Sequence, residues 1–547
     1  MIPANDLRVM KAAAEALALL ATPNGSYTQD FVLAEVKKAL EYLVDKSDNK
    51  RHAAVLVLSA YAERAPTMVS RFISNIIPNL KFALKDNKIT LREDAAICLR
   101  YCLRIVYARD IQVRDYWFNY LFDEASIVFT NENVSKGAND SVTNNNPPEY
   151  IHGGILCYRE LVLQGGPILK SKYKIIFDRL NGVKDHRSVE VRREVAVLMP
   201  YMARYDPVQF SSSNMHIILL YYMGQLSAGK DQAFIYMSIA DIATEVKQSI
   251  TKLLTSPLWE SIRDILTSKS PKVKRELISA AFYCLAKLAL AIGPALTKYI
   301  NNFQLLKYIL KSPITDNMLG LLKVLIDNLP SLEAIINDKL INTISYCFSG
   351  YGFKHPGSPD YRELMDPGLA FDYRQRMLGR DGDSSLFNSS PSNCDVSSLA
   401  NLPRTNVYED SDVTLILQAL KALSFFDFDN YVLTEFVRYC ITCYITHENA
   451  EVRLKAALSS ASIYAKSGLA YQKSTHSVRN VNEVLMKLLT MCVTDALPEI
   501  RLEVLKSLNE GFDPQLSQAD NVRMLLLTID DENFEVRKTA IKICEFT

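Results

Sequence analysis

Residues 530–544 read DDENFEVRKTAIKIC, and residues 494–508 read TDALPEIRLEVLKSL. Each sets an Asp six positions ahead of an Arg, with a β-branched residue just before the Arg. Behind it runs an apolar stripe at helical spacing: Val536, Ala540, Ile543 in one and Ile500, Val504, Leu508 in the other. The pairs are Asp531 with Arg537 and Asp495 with Arg501.

The same phrase recurs upstream. Asp45 precedes Arg51 and Asp86 precedes Arg92 by the same interval, and Asp185 with Arg192 is a version one residue longer, its stripe being Val191, Val195 and Leu198. In HENAEVRLKAAL, His447 stands six before Arg453, in the Asp position, and SKSPKVKRELISA is a weaker copy with Lys274 in the Arg position. Arg51 and Arg92 lie 41 residues apart, Arg92 and Arg192 lie 100, Arg192 and Lys274 lie 82, Arg453 and Arg501 lie 48, and Arg501 and Arg537 lie 36. One or two units of roughly 40–47 residues fit this spacing, which is the signature of paired-helix HEAT or armadillo repeats.

Physical chemistry gives the phrase a meaning. The Asp belongs in the tight turn between two helices, where it accepts hydrogen bonds from N–H groups at the start of the second helix. The Arg falls in the first turn of that helix, where the macrodipole disfavours a cation, so it is expected to bond the turn Asp of its own or a neighbouring unit. Ala456, Ala457 and Ala540 are small enough for close helix approach. No unit can bury its stripe alone, so the units stack. The expected fold is all-α: an α-solenoid of HEAT/armadillo-like repeats forming a superhelix.

Bulk properties agree. At 547 residues the chain exceeds the roughly 250–300 at which a single core stops growing. A hydrophobic fraction of 48% with 22% charged residues suits a folded chain with a large core. The formal net charge of +1 gives no pull toward nucleic acid or anionic membrane. No apolar run reaches the length of a membrane span. The opening MIPANDLRVMKAAAEALALLATPNG is broken by Glu15 and reads as an amphipathic helix over Lys11–Leu20 rather than a signal peptide. A cytoplasmic location with ten reduced cysteines is expected.

Two stretches interrupt the array. The organisation expected is HEAT repeats over 1–129, a polar loop over 130–149, repeats over 150–348, an insertion over 349–412 disordered from about Gly379, and repeats over 413–547. The terminal IKICEFT carries no polar capping repeat, so the array is expected to be truncated at its C-terminus.

No catalytic constellation is readable. Cys440-Ile-Thr-Cys443 has no second ligand pair, and Cys98 and Cys102 share a helical stripe; both pairs read as buried thiols. The seven histidines contain no H-E-x-x-H; His52 and His186 read as structural or solvated, His447 as a turn residue. Gly379-Arg-Asp-Gly-Asp383 lacks the calcium-loop pattern, and phosphate-binding, nucleophile-elbow and kinase signatures are absent from the sequence. No catalytic, cofactor-binding or metal residue is therefore assigned.

Longer stretches go beyond a generic array. FVLAEVKKALEYLVDKSDNKRHAAVLVLSAYAERAPTMV at 31–69, IHGGILCYRELV at 151–162, FKHPGSP at 353–359, DVTLILQALKALSFFDFD at 412–429 and SLNEGFDPQLSQADNVRMLLLTIDDENFEVRKTAIKIC at 507–544 resemble, in order, the N-terminal HEAT region of target-of-rapamycin (TOR) protein kinases of fungal type. The central part, about 200–340, matches only in general character. The resemblance implies a parent Ser/Thr kinase of the phosphatidylinositol-kinase-related class, with ATP and magnesium bound only by a kinase domain that this segment does not include. By the same resemblance the segment is expected to begin inside the family's solenoid rather than at its first repeats. The resemblance further implies Raptor-type and Rictor-type partner subunits, a parent dimeric within its complex, and peripheral association with vacuolar, lysosomal or other endomembranes. A self-contained HEAT adaptor, of transport-receptor or phosphatase-scaffold type, is the alternative; an enzyme with an unrecognised site is a third reading.

Overall fold

The computed structural model describes all residues except 1–5, 22–28, 130–145, 269–273, 355–364, 378–409, 429–430, 467–474, 509–511 and 547. Every regular element among the described residues is helical, so the fold is an all-α solenoid. The chain divides into two compact units, Met1–Ser261 and Ile262–Thr547.

In the first unit helices alternate between an outer and an inner row. Gln29–Tyr42, Ile73–Leu84, Ile111–Ile127, Leu169–Val183 and Met215–Ser227 come first in their pairs; Asp48–Arg64, Ile89–Tyr107, Pro148–Gln164, Val189–Tyr205 and Gln232–Val246 come second. Consecutive second helices pack on one another, and each packs on its own partner. Burial follows from that position. Ile73–Leu84 buries one face, through Ile76, Ile77, Leu80 and Leu84, and leaves Phe82 exposed. Asp48–Arg64 is buried all round from His52 to Ala62, as a helix enclosed on every side must be. The opening helix spans Leu7–Leu20, four residues longer at its start than its apolar pattern indicates, because Asp6 caps it by accepting the Arg8 N–H.

In the second unit the second helices Lys274–Ile292 and Asp316–Asn328 pack together, as do Asp410–Phe425, Ala450–Lys466, Pro498–Ser507 and Phe534–Phe546 in succession. The partner of Ala450–Lys466 is irregular, running through Thr434–Phe436, a π-helical turn Val437–Ile441 and a 3-10 turn Thr442–Thr446. A short helix, Pro367–Met377, lies within the stretch read as an insertion and packs on Glu333–Ser349. Most of the polar stretch 130–149, the Gly379–Asp383 motif and the segment expected to be disordered lie outside the described residues, as does the side chain of Lys274.

The turn ladder as a candidate interaction edge

The repeated phrase builds one geometry each time. The turn carboxylate accepts the N–H two residues on: Asp45 from Ser47 at 2.8 Å, Asp86 from Lys88 at 2.9 Å, Asp495 from Leu497 at 3.0 Å and Asp531 from Asn533 at 2.8 Å. The Arg then folds its Nη1 back onto the carbonyl six residues before it. The distances are 2.9 Å from Arg51 to Asp45, 2.7 Å from Arg92 to Asp86, 2.7 Å from Arg501 to Asp495 and 2.7 Å from Arg537 to Asp531. The six-residue interval is thus the reach of a guanidinium from the first helical turn back over its own loop.

The Arg's remaining edge serves the next unit. Arg51 Nε donates to Asp86 at 2.7 Å. Arg453 donates to Asp495 through Nε at 2.8 Å and Nη2 at 3.2 Å; Arg501 donates to Asp531 at 2.7 and 2.9 Å. These are two-pronged, charge-assisted pairs on carboxylates that keep only 4% and 6% of their side-chain exposure. Each rung ties one loop to the following one, so within each unit the ladder fixes the spacing of consecutive turns. The Arg501 guanidinium holds Asp531 below the usual carboxylate range. Burial works against Asp495, but Arg453 and the Leu497 N–H together still hold it low.

One assignment needs correcting. Asp185 does not take the turn position before Arg192; His186 does. His186 Nδ1 accepts the Ser188 N–H at 3.1 Å, and Arg192 Nη1 donates to the His186 carbonyl at 2.9 Å. Asp185 instead accepts from Gln225 at 3.3 Å. The extra residue vanishes, and the interval is again six. His447 behaves alike, its Nδ1 accepting the Asn449 N–H at 3.0 Å and its carbonyl accepting from Arg453. An unprotonated imidazole nitrogen can replace a carboxylate oxygen here because the turn needs one acceptor.

Three members of the ladder leave no signal at the six-residue interval. Asp231, immediately before Gln232–Val246, accepts from Arg192 Nε at 2.8 Å, but position 237 is Met, so no copy of the phrase marks it. The third pair lacks a turn Asp. There Arg92 Nε donates to His152 Nδ1 at 3.1 Å and its Nη2 bonds Glu190, one pair further on. Arg92 also donates to the Asn87 carbonyl at 3.1 Å and is fully buried.

A second set of contacts crosses the inner row. Tyr101 donates to Glu63 at 2.7 Å, Arg100 meets the buried Glu160 at 2.7 and 2.9 Å, and Arg159 joins Glu160 to Glu194. His52 Nε2 lies 2.7 Å from Asp94, which also binds Lys11. Burial pushes the thiols of Cys157, Cys347 and Cys492 up to about 12. Cys98, Cys102 and Cys440 are buried, whereas Cys443, read from sequence as a core thiol, reaches the surface, its thiol donating to the Cys440 carbonyl at 3.1 Å. Among the described residues no group of three or more His, Cys, Asp or Glu could hold a metal, and no helix is long and apolar enough to cross a membrane. What the arrangement offers chemically is a stiffly spaced edge of turns.

The histidines give the first half a pH dependence. Burial, with Arg92 and Arg159 nearby, lowers His152 to about 3, and burial also lowers His186. A folded-state value below the unfolded one means the unfolded chain takes up more protons, so this stability is complete above about pH 6.5 and is lost as pH falls toward the folded value. From His152 the loss is about 2 kcal/mol between roughly pH 6.5 and 5, at about 1.4 kcal/mol per unit. Urea titrations should therefore show a steeper loss on acidification for the wild-type chain than for His152→Gln; equal slopes would refute the assignment.

No family model matches the chain. Over 560 aligned residues it is 34% identical to the serine/threonine-protein kinase TOR2 of Saccharomyces cerevisiae, an alignment that takes in 99% of this chain and 21% of that protein. Along nearly its whole length the chain is similar to target-of-rapamycin kinases. It is 28% identical over 543 residues to tor1 of Schizosaccharomyces pombe and 25% identical over 550 residues to TOR of Arabidopsis thaliana, covering 99% and 98% of this chain but 21% and 20% of those proteins. The chain thus spans about a fifth of the length of the relatives it matches. Among solved structures, the karyopherin Kap121p bound to Pho4p aligns at a TM-score of 0.48 with 11% identity, covering 99% of this chain and 58% of that one.

Two of the TOR-like stretches serve packing. In IHGGILCYRELV, Gly153 lets its helix lie against the Leu84 backbone: a Cβ there would stand 2.0 Å from the Leu84 oxygen. In the stretch at 507–544, Phe512, Gln515, Leu516 and Asn521 are buried, and Asn521 donates to the Gln515 carbonyl at 2.8 Å.

Proposed function

We propose that this chain is a scaffold segment of a TOR-type serine/threonine kinase, a HEAT surface on which Raptor-type or Rictor-type subunits assemble in a dimeric growth-signalling complex. Alignment with TOR kinases along nearly the whole chain carries this reading. The mechanism is positional. A run of turns held at set spacing by Arg–Asp rungs gives a partner a long, preorganised surface, which limits the entropy lost on docking. The partner then presents substrate to a kinase domain elsewhere in the parent, where ATP and magnesium are bound. The segment acts in the cytoplasm, against vacuolar or lysosomal membranes.

The test is direct. The purified chain, mixed with purified Raptor-type or Rictor-type subunit, should form a complex with Kd of about 1 μM or tighter by calorimetry, some −8 kcal/mol. Failure to bind either subunit would defeat the proposal.

A further inference from the structure

Helix Pro367–Met377 is held in an unusual way. It has 11 residues, too short to be stable alone in water. Its apolar anchorage is slight: Ala370 is buried, while Leu369 and Phe371 are both 40% exposed. Tyr373 stacks on Tyr346 with ring centroids 5.3 Å apart. The principal buried contact is ionic. Arg374 Nε donates to Asp412 Oδ1 at 2.5 Å and its Nη1 donates to the Cys347 carbonyl at 2.6 Å, with Arg374 at 3% and Asp412 at 0% exposure.

That pair is poorly matched to a purely stabilising role. Asp412 Oδ2 is buried and makes no hydrogen bond, so one half of a desolvated carboxylate is uncompensated. Apolar side chains of similar volume commonly serve stability as well as a buried ion pair or better. The two charges also sit on different supports. Asp412 belongs to Asp410–Phe425, a helix packed into the repeat row, whereas Arg374 rides on the short helix and can leave with it. The landing site is shaped for the helix start. Gly350, at φ 79°, closes Glu333–Ser349, and a Cβ there would stand 2.7 Å from Leu369 Cβ. The Asp366 N–H donates to the Ser349 carbonyl at 2.9 Å, and the Asp366 carboxylate caps Gly368 and Leu369 at 2.9 and 3.1 Å.

We propose that residues 367–377 form a detachable strap, bound in cis to an arginine-accepting groove of the repeats, with Arg374–Asp412 as its latch. Docked, the strap stacks on Tyr346, which stays 39% exposed, and occupies the Cys347 carbonyl. Undocked, it uncovers an acceptor pair beside an aromatic ring, and Arg374 regains water. The inference concerns this chain's own conformations and does not depend on the parent's partners.

Hydrogen exchange on the full chain, read by mass spectrometry, tests it. In Asp412→Asn the Arg374 charge loses its counter-charge, and amides 370–377 should exchange at least about 100-fold faster while Ala450–Lys466 is unchanged. In Arg374→Met/Asp412→Leu the apolar pair should hold the strap at the wild-type rate or slower. Unchanged strap exchange in Asp412→Asn overturns the proposal. So does release of the strap by the apolar pair, and so does opening of Ala450–Lys466 together with the strap, which would make the helix part of the core.

Discussion

Arg92→Met should lower the stability of the first unit by about 3–5 kcal/mol, the scale for breaking a buried charge network by removing one partner. The methionine fills the space but leaves the Asp86 and Asn87 carbonyls and His152 Nδ1 without their donor. Each buried acceptor so orphaned costs on the order of 1–3 kcal/mol. Glu190 is 44% exposed at its side chain and returns to water at little cost. Arg92→Lys should fail nearly as badly, because one ammonium cannot reach acceptors lying in several directions. Arg537→Met is the comparison: its Nη1 binds the carbonyls of Asp531 and Glu532, and the expected loss is about 1 kcal/mol. Since the chain has two units, urea unfolding should be followed by circular dichroism together with hydrogen exchange, so that a two-state value is not imposed on the whole. An Arg92→Met loss below about 1 kcal/mol would show that the rung through His152 is not a structural tie.

Gly153→Ala should cost about 3 kcal/mol or more, at or beyond the upper end for overpacking. The added methyl would stand 2.0 Å from the Leu84 carbonyl oxygen and 2.9 Å from its carbon, and neither is a flexible side-chain end that can swing away. Helix Pro148–Gln164 would have to move off Ile73–Leu84, opening a core lined by Leu80, Leu121 and Cys157. Gly224→Ala makes the same chemical change inside helix Met215–Ser227, where nothing lies within 4 Å of the new Cβ. There the expected change is a gain of up to about 1 kcal/mol, from helix propensity. Thermal melts of the two variants should shift in opposite directions; a shared direction would mean the close approach at Gly153 is not a constraint.

The legible part of this protein was the part written in local periods. Helical stripes such as Ile500, Val504 and Leu508 need only the 3.6-residue repeat to be recognised, and all three are buried. The Asp–Arg interval of six is likewise local, since it measures one guanidinium's reach over one turn. The Asp185 reading missed by one position because a carboxylate was sought where an imidazole nitrogen serves equally well. Asp231, His152 and Glu190 had no such signal. Their role depends on which helix comes to lie beside Arg92 or Arg192, and no local spacing encodes that.

By itself, then, the amino-acid sequence determined the helical class, the repeating unit and, through its ordered stretches, the likeness to TOR kinases. Backbone periodicity and loop reach are short-range properties, and every repeat restates them. Only the tertiary structure decided which Arg pairs with which loop, that Gly153 must be glycine, and that Arg374 finds Asp412 across an interruption of the array. Those are contacts between segments 30 to 98 residues apart, set by packing against neighbours rather than by the residues adjoining them in the chain.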